Sequence, residues 1–203
     1  MSQVLFKVLI ISLLCIVSSN AKYHPPIQNF TPDVYKAGNQ NWNISRDDNN
    51  RIYVANNFGL LEFDGLRWTL HPTPDGAIMR SVFVKNNIVF TGAYMDFGYW
   101  LRNENGTLSY TSLAETVGFQ TIEDEQFWNI FSHKQYILFQ SLNRLVIYNQ
   151  QSNTLKTYNS DYGILDAFVN DDEIYFQDNN RTLFKIENEK SLVYLSAAAS
   201  APG

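Results

Sequence analysis

The chain has 203 residues, of which 45% are hydrophobic, a formal net charge of −5 and a single cysteine, Cys15. These values are typical of a globular domain and exclude a disordered chain, and the lack of a lysine and arginine cluster argues against a nucleic-acid partner. Aromatic residues are frequent, with 14 Phe, 12 Tyr and 4 Trp, which favours strands over helices.

The first 21 residues have the pattern of an export signal. They carry one early positive charge at Lys7, an apolar run from Val8 to Val17 and a small residue at Ala21. The pattern predicts a signal peptide at residues 1–21, with an uncleaved anchor as the alternative. We expect no membrane span in the mature chain, because no later apolar run is long enough. Cleavage removes Cys15, so we expect neither a disulfide nor thiolate chemistry.

Residues 22–39 connect this signal to the first repeat. They include Pro25, Pro26 and Pro32. Proline fixes φ and lacks an N–H, so it is unfavourable inside a helix. We therefore expect an extended lead-in that contains no helix.

One apolar run recurs four times between residues 40 and 195. “IYVAN” from Ile52 aligns with “IVFTG” from Ile88, “ILFQS” from Ile137 and “IYFQD” from Ile174, at steps of 36, 49 and 37 residues. A strand-like run and a polar turn precede each copy, and two more runs follow it. Four short antiparallel strands in a unit of about 40 residues are typical of a β-propeller blade.

The repeat therefore predicts an all-β fold of four four-stranded antiparallel β-propeller blades. Their approximate bounds are 40–75, 79–114, 126–159 and 163–195; a β-sandwich or another meander is the alternative. Four blades are the lower limit for a propeller, and residues 196–203 form only a small-residue tail. We expect an incomplete propeller from a truncated chain, with a genuine four-bladed propeller as the alternative. An incomplete ring exposes apolar blade faces, so we also expect self-association.

Eight residues are expected to anchor the repeat structurally. They are the four aligned isoleucines, one turn glycine and three tryptophans: Ile52, Ile88, Ile137, Ile174, Gly59, Trp68, Trp100 and Trp128. In a propeller, large aromatic side chains fill the space between blades. We expect Tyr99 and Trp100 to belong to such a core.

The first unit, “NWNISRDDNNRIYVANNFGLLEFDG”, resembles the two-component-regulator propeller repeat. The repeat has an apolar strand, an aspartate, an Ile-aromatic pair, a turn ending in Gly-Leu and an aromatic-Asp end. In this sequence the corresponding residues are, in the same order, Ile44, Asp47 or Asp48, Ile52-Tyr53, Asn56 to Leu60, and Phe63-Asp64. Most of residues 27–195 are similar to the periplasmic N-terminal region of sensor regulators of Bacteroidetes bacteria.

That family implies a signal peptide, propeller blades, a triple-tyrosine immunoglobulin-like domain, one transmembrane helix and a cytoplasmic output. The output is a LuxR-type helix-turn-helix or a histidine kinase. The resemblance thus implies a periplasmic ligand-sensing module whose partners include the downstream domains of its parent protein. This chain has only the early blades, so the output is absent from it.

Catalytic motifs are missing from the sequence. It has no G-x-S-x-G, H-E-x-x-H, C-x-x-C, P-loop or G-x-G-x-x-G motif. His24, His71 and His133 lack metal-ligand spacing, and we expect them to be surface residues. Glu123, Asp124 and Glu125 form an acidic triplet that we expect in a solvated loop. We therefore predict no enzyme activity, no metal and no cofactor.

Binding has better support, from the stretch “TGAYMDFGYW”. It places Tyr94 and Asp96 at a hairpin turn, with Arg80 at the start of the same blade. An aromatic face combined with a carboxylate and a guanidinium suits a small polar ligand or an oligosaccharide. Arg80, Tyr94 and Asp96 are therefore the candidate ligand-binding residues.

These observations favour a non-catalytic periplasmic sensor module of a membrane-spanning transcription regulator. The alternative is a freestanding propeller, secreted or at the cell surface, that binds glycan or protein. A propeller lyase or glycosidase is a third hypothesis. The sequence does not identify the ligand.

Overall fold

The fold is described from a computed structural model that covers residue 3, residues 27–187 and residues 190–196. The chain divides into two compact units, Met1–Phe30 and Thr31–Gly203. The predicted signal peptide, except residue 3, and the predicted tail, except residue 196, lie outside the described residues. Within the described part, no helix is long and apolar enough to cross a membrane.

The described residues of the second unit form four antiparallel sheets, each with four strands in sequence order. The first sheet comprises β1 (Asn41–Arg46), β2 (Ile52–Asn56), β3 (Gly59–Phe63) and β4 (Trp68–His71). The second comprises β5 (Met79–Lys85), β6 (Ile88–Ala93), β7 (Phe97–Arg102) and β8 (Leu108–Ser112). The third comprises β9 (Phe127–His133), β10 (Tyr136–Ser141), β11 (Arg144–Asn149) and β12 (Thr154–Asn159). The fourth comprises β13 (Ile164–Asn170), β14 (Glu173–Asp178), β15 (Leu183–Glu187) and β16 (Lys190–Leu195). The prediction of four four-stranded antiparallel units is confirmed.

Short polar turns explain why each sheet is a meander. Asn86 and Asn87 connect β5 to β6 with φ of 52° and 60°, and Asp171 and Asp172 connect β13 to β14 with φ of 46° and 66°. Two successive residues with positive φ define the type I′ turn, whose twist matches that of the flanking strands. Asn and Asp tolerate this conformation better than other non-glycine residues.

Gly59 has a specific steric reason to be glycine. Its φ is +134°, and a Cβ atom there would lie 2.5 Å from the carbonyl oxygen of His71. A larger residue would therefore separate β3 from the end of β4. Trp68, another predicted anchor, stacks on Phe63 at 4.9 Å between ring centroids.

The lead-in differs from the prediction because it contains a helix, α1 (Pro32–Tyr35). Pro32 is compatible with this helix because it occupies the first turn, where the missing N–H has no helical acceptor anyway. Tyr35 is buried and its ring lies 6.0 Å from Trp68. The expectation of a lead-in without a helix was therefore wrong.

Buried apolar residues in the described part of the chain form three clusters, each between two successive sheets. The first joins Tyr53, Ala55 and Leu60 to Met79, Val82, Val89 and Trp100. The second joins Phe90 and Phe97 to Phe127, Ile137 and Phe139. The third joins Leu138 and Leu145 to Ile164, Ile174 and Phe176. Sheets stacked face to face in this way are the packing of propeller blades, and we call them blades below.

The strand register corrects one part of the repeat alignment. The last residue of the second strand pairs with the start of the first strand in every blade, and these residues are Asn56, Ala93, Ser141 and Asp178. The residue four positions before each of these is Ile52, Val89, Ile137 or Ile174. Val89, and not Ile88, therefore aligns with the other three isoleucines. Because side chains alternate between faces, this single-residue difference moves Ile88 to the opposite face of its blade.

Candidate functional site

All four blades share an irregularity at the second position of their first strand. The pairing between first and second strands skips one residue in each case. Such a bulge bends the strand and redirects the extra side chain, and bulges are frequent beside functional sites. The four bulged residues are Trp42, Arg80, Trp128 and Leu165.

The first strands of successive blades lie side by side. β5 packs against β1 on one side and against β9 on the other. Side chains connect these strands, because Asn43 and Ser45 of β1 accept hydrogen bonds from the backbone of β5 at 3.3 and 3.1 Å. Ser81 of β5 donates to the carbonyl of Phe127 at 2.8 Å. The bulges of three blades are therefore brought together.

Three bulged residues contact one another, and we call Trp42, Arg80 and Trp128 the bulge cluster. The guanidinium carbon of Arg80 lies 4.4 Å from the ring centroid of Trp42 and 4.8 Å from that of Trp128. The two indole rings are 5.6 Å apart and nearly perpendicular. Trp42 remains 41% exposed. The cluster is thus a cation held between two aromatic rings, one of them open to solvent.

Polar side chains surround the bulge cluster. Arg80 Nε donates to Oε1 of Gln126 at 2.6 Å, and Trp42 Nε1 donates to Oδ1 of Asn57 at 2.7 Å. The backbone of Gln126 also forms an antiparallel bridge with Tyr94. Gln126 therefore places Tyr94 beside Arg80, two residues that the sequence analysis nominated together.

Tyr94 is itself tied to the acidic segment that precedes β9. Its Oη donates to Oδ1 of Asp124 at 2.5 Å. This hydrogen bond to a carboxylate raises the pKa of the exposed Tyr94 hydroxyl above its usual value. Tyr94 and Asp124 thus form an exposed polar border to the cluster.

The guanidinium of Arg80 lacks an anionic partner among the described residues. Its Nη1 is buried, and no described residue accepts a hydrogen bond from it. Burial lowers the pKa of Arg80. A carboxylate close by would have raised that pKa instead.

Asp96, the third nominated residue, has a different environment. Its Oδ1 accepts hydrogen bonds from the Phe97 backbone at 2.8 Å and from Ser112 Oγ at 2.6 Å, and its Oδ2 accepts one from Tyr110 Oη at 2.7 Å. Burial raises the pKa of Asp96, although these hydrogen bonds oppose the shift. Its carboxylate connects the β6–β7 turn to β8 through these hydrogen bonds. The prediction that Asp96 contacts a ligand therefore gains no support.

The acidic triplet is only partly a solvated loop. Glu123 and Asp124 are exposed, but Glu125 is 1% exposed and forms an ion pair with Arg144 at 2.5 Å. Ser141 Oγ also donates to Glu125 at 2.8 Å. The expectation of a solvated loop was wrong for Glu125, because an arginine and a hydroxyl compensate its burial.

Two histidines also differ from the surface position expected for them. The side chains of His71 and His133 are only 15% and 10% exposed. His71 is hydrogen-bonded to the buried Glu62 at 3.0 Å, and His133 lies 3.6 Å from Asp172. No group of three or more His, Cys, Asp or Glu in the described ranges is arranged to hold a metal ion.

A separate cavity of about 450 Å³ lies between the third and fourth blades. Its charged lining is internally paired, since Lys134 lies 2.5 Å from Asp172 and Lys185 lies 2.6 Å from Glu173. The bulge cluster, by contrast, contains a cation that has no counter-ion among the described residues. The cluster is therefore the better candidate for a ligand site.

The sequence did not indicate Trp42 or Gln126 as site residues, and it predicted Trp128 as a structural anchor. In the observed first strands, both tryptophans and Arg80 occupy the second position. A large side chain at this position of each strand was the available signal. Trp100, in contrast, is buried in the core between the first two blades, and Tyr99 packs against the next cluster.

Comparison with known proteins supports the fold. No protein-family model matches the chain, and no curated protein matches it. The computationally designed protein Ika8 superposes with a TM-score of 0.60 at 11% identity, over 78% of this chain and 49% of Ika8. The WD40 domain of Pan2 from Neurospora crassa superposes with a TM-score of 0.52 at 14% identity, over 84% of this chain and 52% of that domain.

A bacterial structure superposes on this chain with a TM-score between those of the two structures above. It is the extracellular domain of a Bacteroides thetaiotaomicron protein described as a one-component system. It superposes with a TM-score of 0.54 at 16% identity, over 77% of this chain and 22% of that chain. This chain thus spans about half of the first two structures and less than a quarter of the third. At such identities the likeness shows the fold, and the four sheets are β-propeller blades.

Proposed function

We propose that the chain is a non-catalytic ligand-sensing propeller module, exported to the periplasm, of a membrane-spanning regulator of transcription. The bulge cluster is its ligand site. The observation that carries this proposal is the convergence of Trp42, Arg80 and Trp128 from three different blades. The extracellular domain of the Bacteroides thetaiotaomicron one-component system, which has the same fold, supports the assignment to sensing.

The chemistry of the cluster suits a small polar ligand with an apolar face, such as an oligosaccharide. Indole rings stack on the C–H faces of sugars, while the guanidinium and the Gln126 amide bind hydroxyl groups. The exposed ring of Trp42 is available for such stacking. Arg80, Tyr94 and the two tryptophans are therefore the proposed contact residues.

The arrangement also provides a mechanism for signalling. A ligand that contacts Trp42, Arg80 and Trp128 at once binds three blades together. Its affinity then depends on how β1, β5 and β9 pack, so binding shifts the population of packing states. Downstream domains of the parent protein are the proposed partners that respond to this shift.

The ligand site is tested by calorimetric titration of the purified chain with a panel of mono- and oligosaccharides. Trp42→Ala and Trp128→Ala are expected to weaken binding about tenfold or more, since each removes an aromatic face. Tyr162→Ala removes an exposed aromatic side chain outside the cluster and serves as the control. A sugar that binds equally well to all of these variants would refute the site.

The regulatory assignment needs a separate experiment. The coding sequence that follows codon 203 in the source genome is to be read. We expect further blades, a membrane span and a helix-turn-helix or kinase domain. A stop codon with no such domains would instead favour the freestanding secreted propeller.

A further inference from the structure

The bulge cluster contains an unusual imbalance of charge. The Arg80 guanidinium lies between two indole rings, and its Nε donates to a neutral amide oxygen of Gln126. No described residue accepts a hydrogen bond from its buried Nη1, and no described carboxylate forms an ion pair with it. By contrast, Arg102 lies 2.5 Å from Glu62 and Arg144 lies 2.5 Å from Glu125.

Contacts with aromatic rings recover only part of the hydration free energy that a cation loses when it is buried. Cation–π contacts are weaker than a charge-assisted hydrogen bond, and they leave N–H donors unsatisfied. The planar guanidinium is best matched by a carboxylate, which accepts two parallel N–H bonds. A neutral hydroxyl supplies one acceptor and no charge. The cluster therefore lacks an anionic, planar acceptor.

We propose that the bulge cluster recognises an acidic sugar, with Arg80 pairing the carboxylate of a uronate ring and Trp42 and Trp128 contacting its C–H face. This inference rests on the proposed ligand site and adds the chemical class of the ligand. The nearby Asp124 and Glu123 are exposed and acidic. They disfavour a second anionic group, so the ligand carries a single carboxylate at this position.

Nη1 is buried, so a ligand reaches it only if a neighbouring side chain moves. Trp42 is the exposed ring of the pair, and its Nε1 hydrogen bond to Asn57 is solvent-exposed. Rotation of Trp42 exposes the Arg80 guanidinium to a ligand without disturbing a core cluster. Binding of a uronate is therefore accompanied by a change in tryptophan fluorescence.

The experiment compares D-glucuronate with D-glucose, which differ only in whether carbon 6 is a carboxylate. Both are titrated into the purified chain at constant ionic strength, with binding followed by calorimetry and tryptophan fluorescence. We expect glucuronate to bind about tenfold or more tightly than glucose, and to weaken as salt is raised. Equal affinities overturn the inference and leave the proposed sugar site intact. Failure of the whole sugar panel refutes the site itself, and the inference with it.

Variants of Arg80 identify the residue responsible. Arg80→Gln is expected to weaken the binding of both sugars, because Arg80 is a proposed contact residue, but to weaken glucuronate binding much more and so remove the preference for glucuronate. Arg80→Lys keeps the charge but not the planar fork, and is expected to retain part of the preference. Arg67→Gln removes an exposed arginine outside the cluster and is the control. A preference that survives Arg80→Gln overturns the inference.

An acetate control and the wild-type comparison complete the test. Acetate supplies a carboxylate without a sugar ring, and acetate binding as tight as that of glucuronate contradicts the acidic-sugar assignment. If Arg80→Gln lowers the melting temperature, the wild-type comparison of glucuronate with glucose and its salt dependence still decide the question, since they need no variant.

Discussion

Arg80 and Asp96 show how two charged residues of one blade acquire different roles. Asp96 accepts three hydrogen bonds from its own blade. The Arg80 side chain donates to Gln126, and its buried Nη1 has no acceptor in the part of the chain that the structure describes. A satisfied buried group stabilises local structure, whereas an unsatisfied one at an exposed cluster is available to a ligand. Residue type alone does not distinguish these cases.

We predict that Asp96→Asn leaves stability at pH 7 within about 1 kcal/mol of wild type, because an amide can accept from Phe97 and Ser112 and donate to Tyr110 Oη. Asp96→Ala is expected to cost about 1–3 kcal/mol, since it leaves those donors unpaired. Urea unfolding of the variants measures both values. Loss of sugar binding in Asp96→Asn at unchanged stability would instead place Asp96 in the ligand site.

The raised pKa of Asp96 adds a pH dependence with a defined sign. Because burial holds the folded pKa above the ordinary value of 3.8, wild type loses stability as the pH rises from 3.8 through the folded pKa. Asp96→Asn has no such loss. The stability of this variant relative to wild type is therefore expected to increase between pH 3.8 and neutrality, as measured by urea unfolding across this range.

At the scale of elements, the segment between β8 and β9 organises the candidate site. It begins with the helix α2 (Leu113–Thr116), whose Leu113 and Ala114 are buried. Phe119 packs edge-on against Phe97, and the Arg144 guanidinium lies 4.4 Å from its ring centroid. Glu125 then pairs with Arg144, directly before the Gln126 that binds Arg80. The segment thus positions part of the ligand site.

We predict that Glu125→Ala destabilises the chain by about 3–5 kcal/mol, because it leaves Arg144 without its anion in a largely buried position. Glu123→Ala, two residues away and exposed, is the control and is expected to change stability by less than about 0.5 kcal/mol. Chemical denaturation at pH 7 measures both. Equal effects of the two substitutions would contradict the structural role of Glu125.

Glu125 is also expected to make the segment sensitive to acid. Burial favours its neutral form, but hydrogen bonds from Arg144, the Ile122 backbone and Ser141 outweigh burial and lower the pKa below the ordinary value of 4.5. Its stabilisation is therefore present above pH 4.5 and is lost as the pH falls through the folded pKa. Acid titration of stability should show a loss below pH 4.5 that is reduced in Glu125→Ala.

At the scale of the whole molecule, the fourth blade has an exposed apolar face. Leu192 is 47% and Tyr194 61% exposed, and Phe168 stacks on Tyr175 beside them. In the second and third blades, the residues at the position of Phe168 are Phe83 and Phe131, which pack in the cores between blades. The face therefore has the composition of an interface between blades.

We predict that the purified chain self-associates in a concentration-dependent manner through this face. Leu192→Lys combined with Tyr194→Lys is expected to reduce the association, because it places two charges on the exposed apolar surface. Tyr162→Lys, at an exposed aromatic residue in a turn, is the matched control and should have no effect. Size-exclusion chromatography with light scattering measures the mass. A monodisperse wild-type monomer at all concentrations would contradict the prediction.

The sequence by itself determined the strands and their grouping into blades. Alternating apolar runs and Asn- or Asp-rich turns are local signals, and each hairpin joins neighbours in the sequence. The predicted run “IYVAN” coincides with β2, and the predicted run “IYFQD” lies within β14. The one-turn helix α1 was missed because an N-terminal proline permits a helix as readily as an extended segment.

The tertiary structure decided the register of the second blade and the composition of the ligand site. Ile88 and Val89 are both apolar, so only pairing with β5 shows which of them aligns with Ile52. Trp42, Arg80 and Trp128 lie on separate blades, and no local pattern reports the contact between them. They meet because successive first strands pack side by side and bulge at the same position, which is a property of the stacked blades and not of any one repeat.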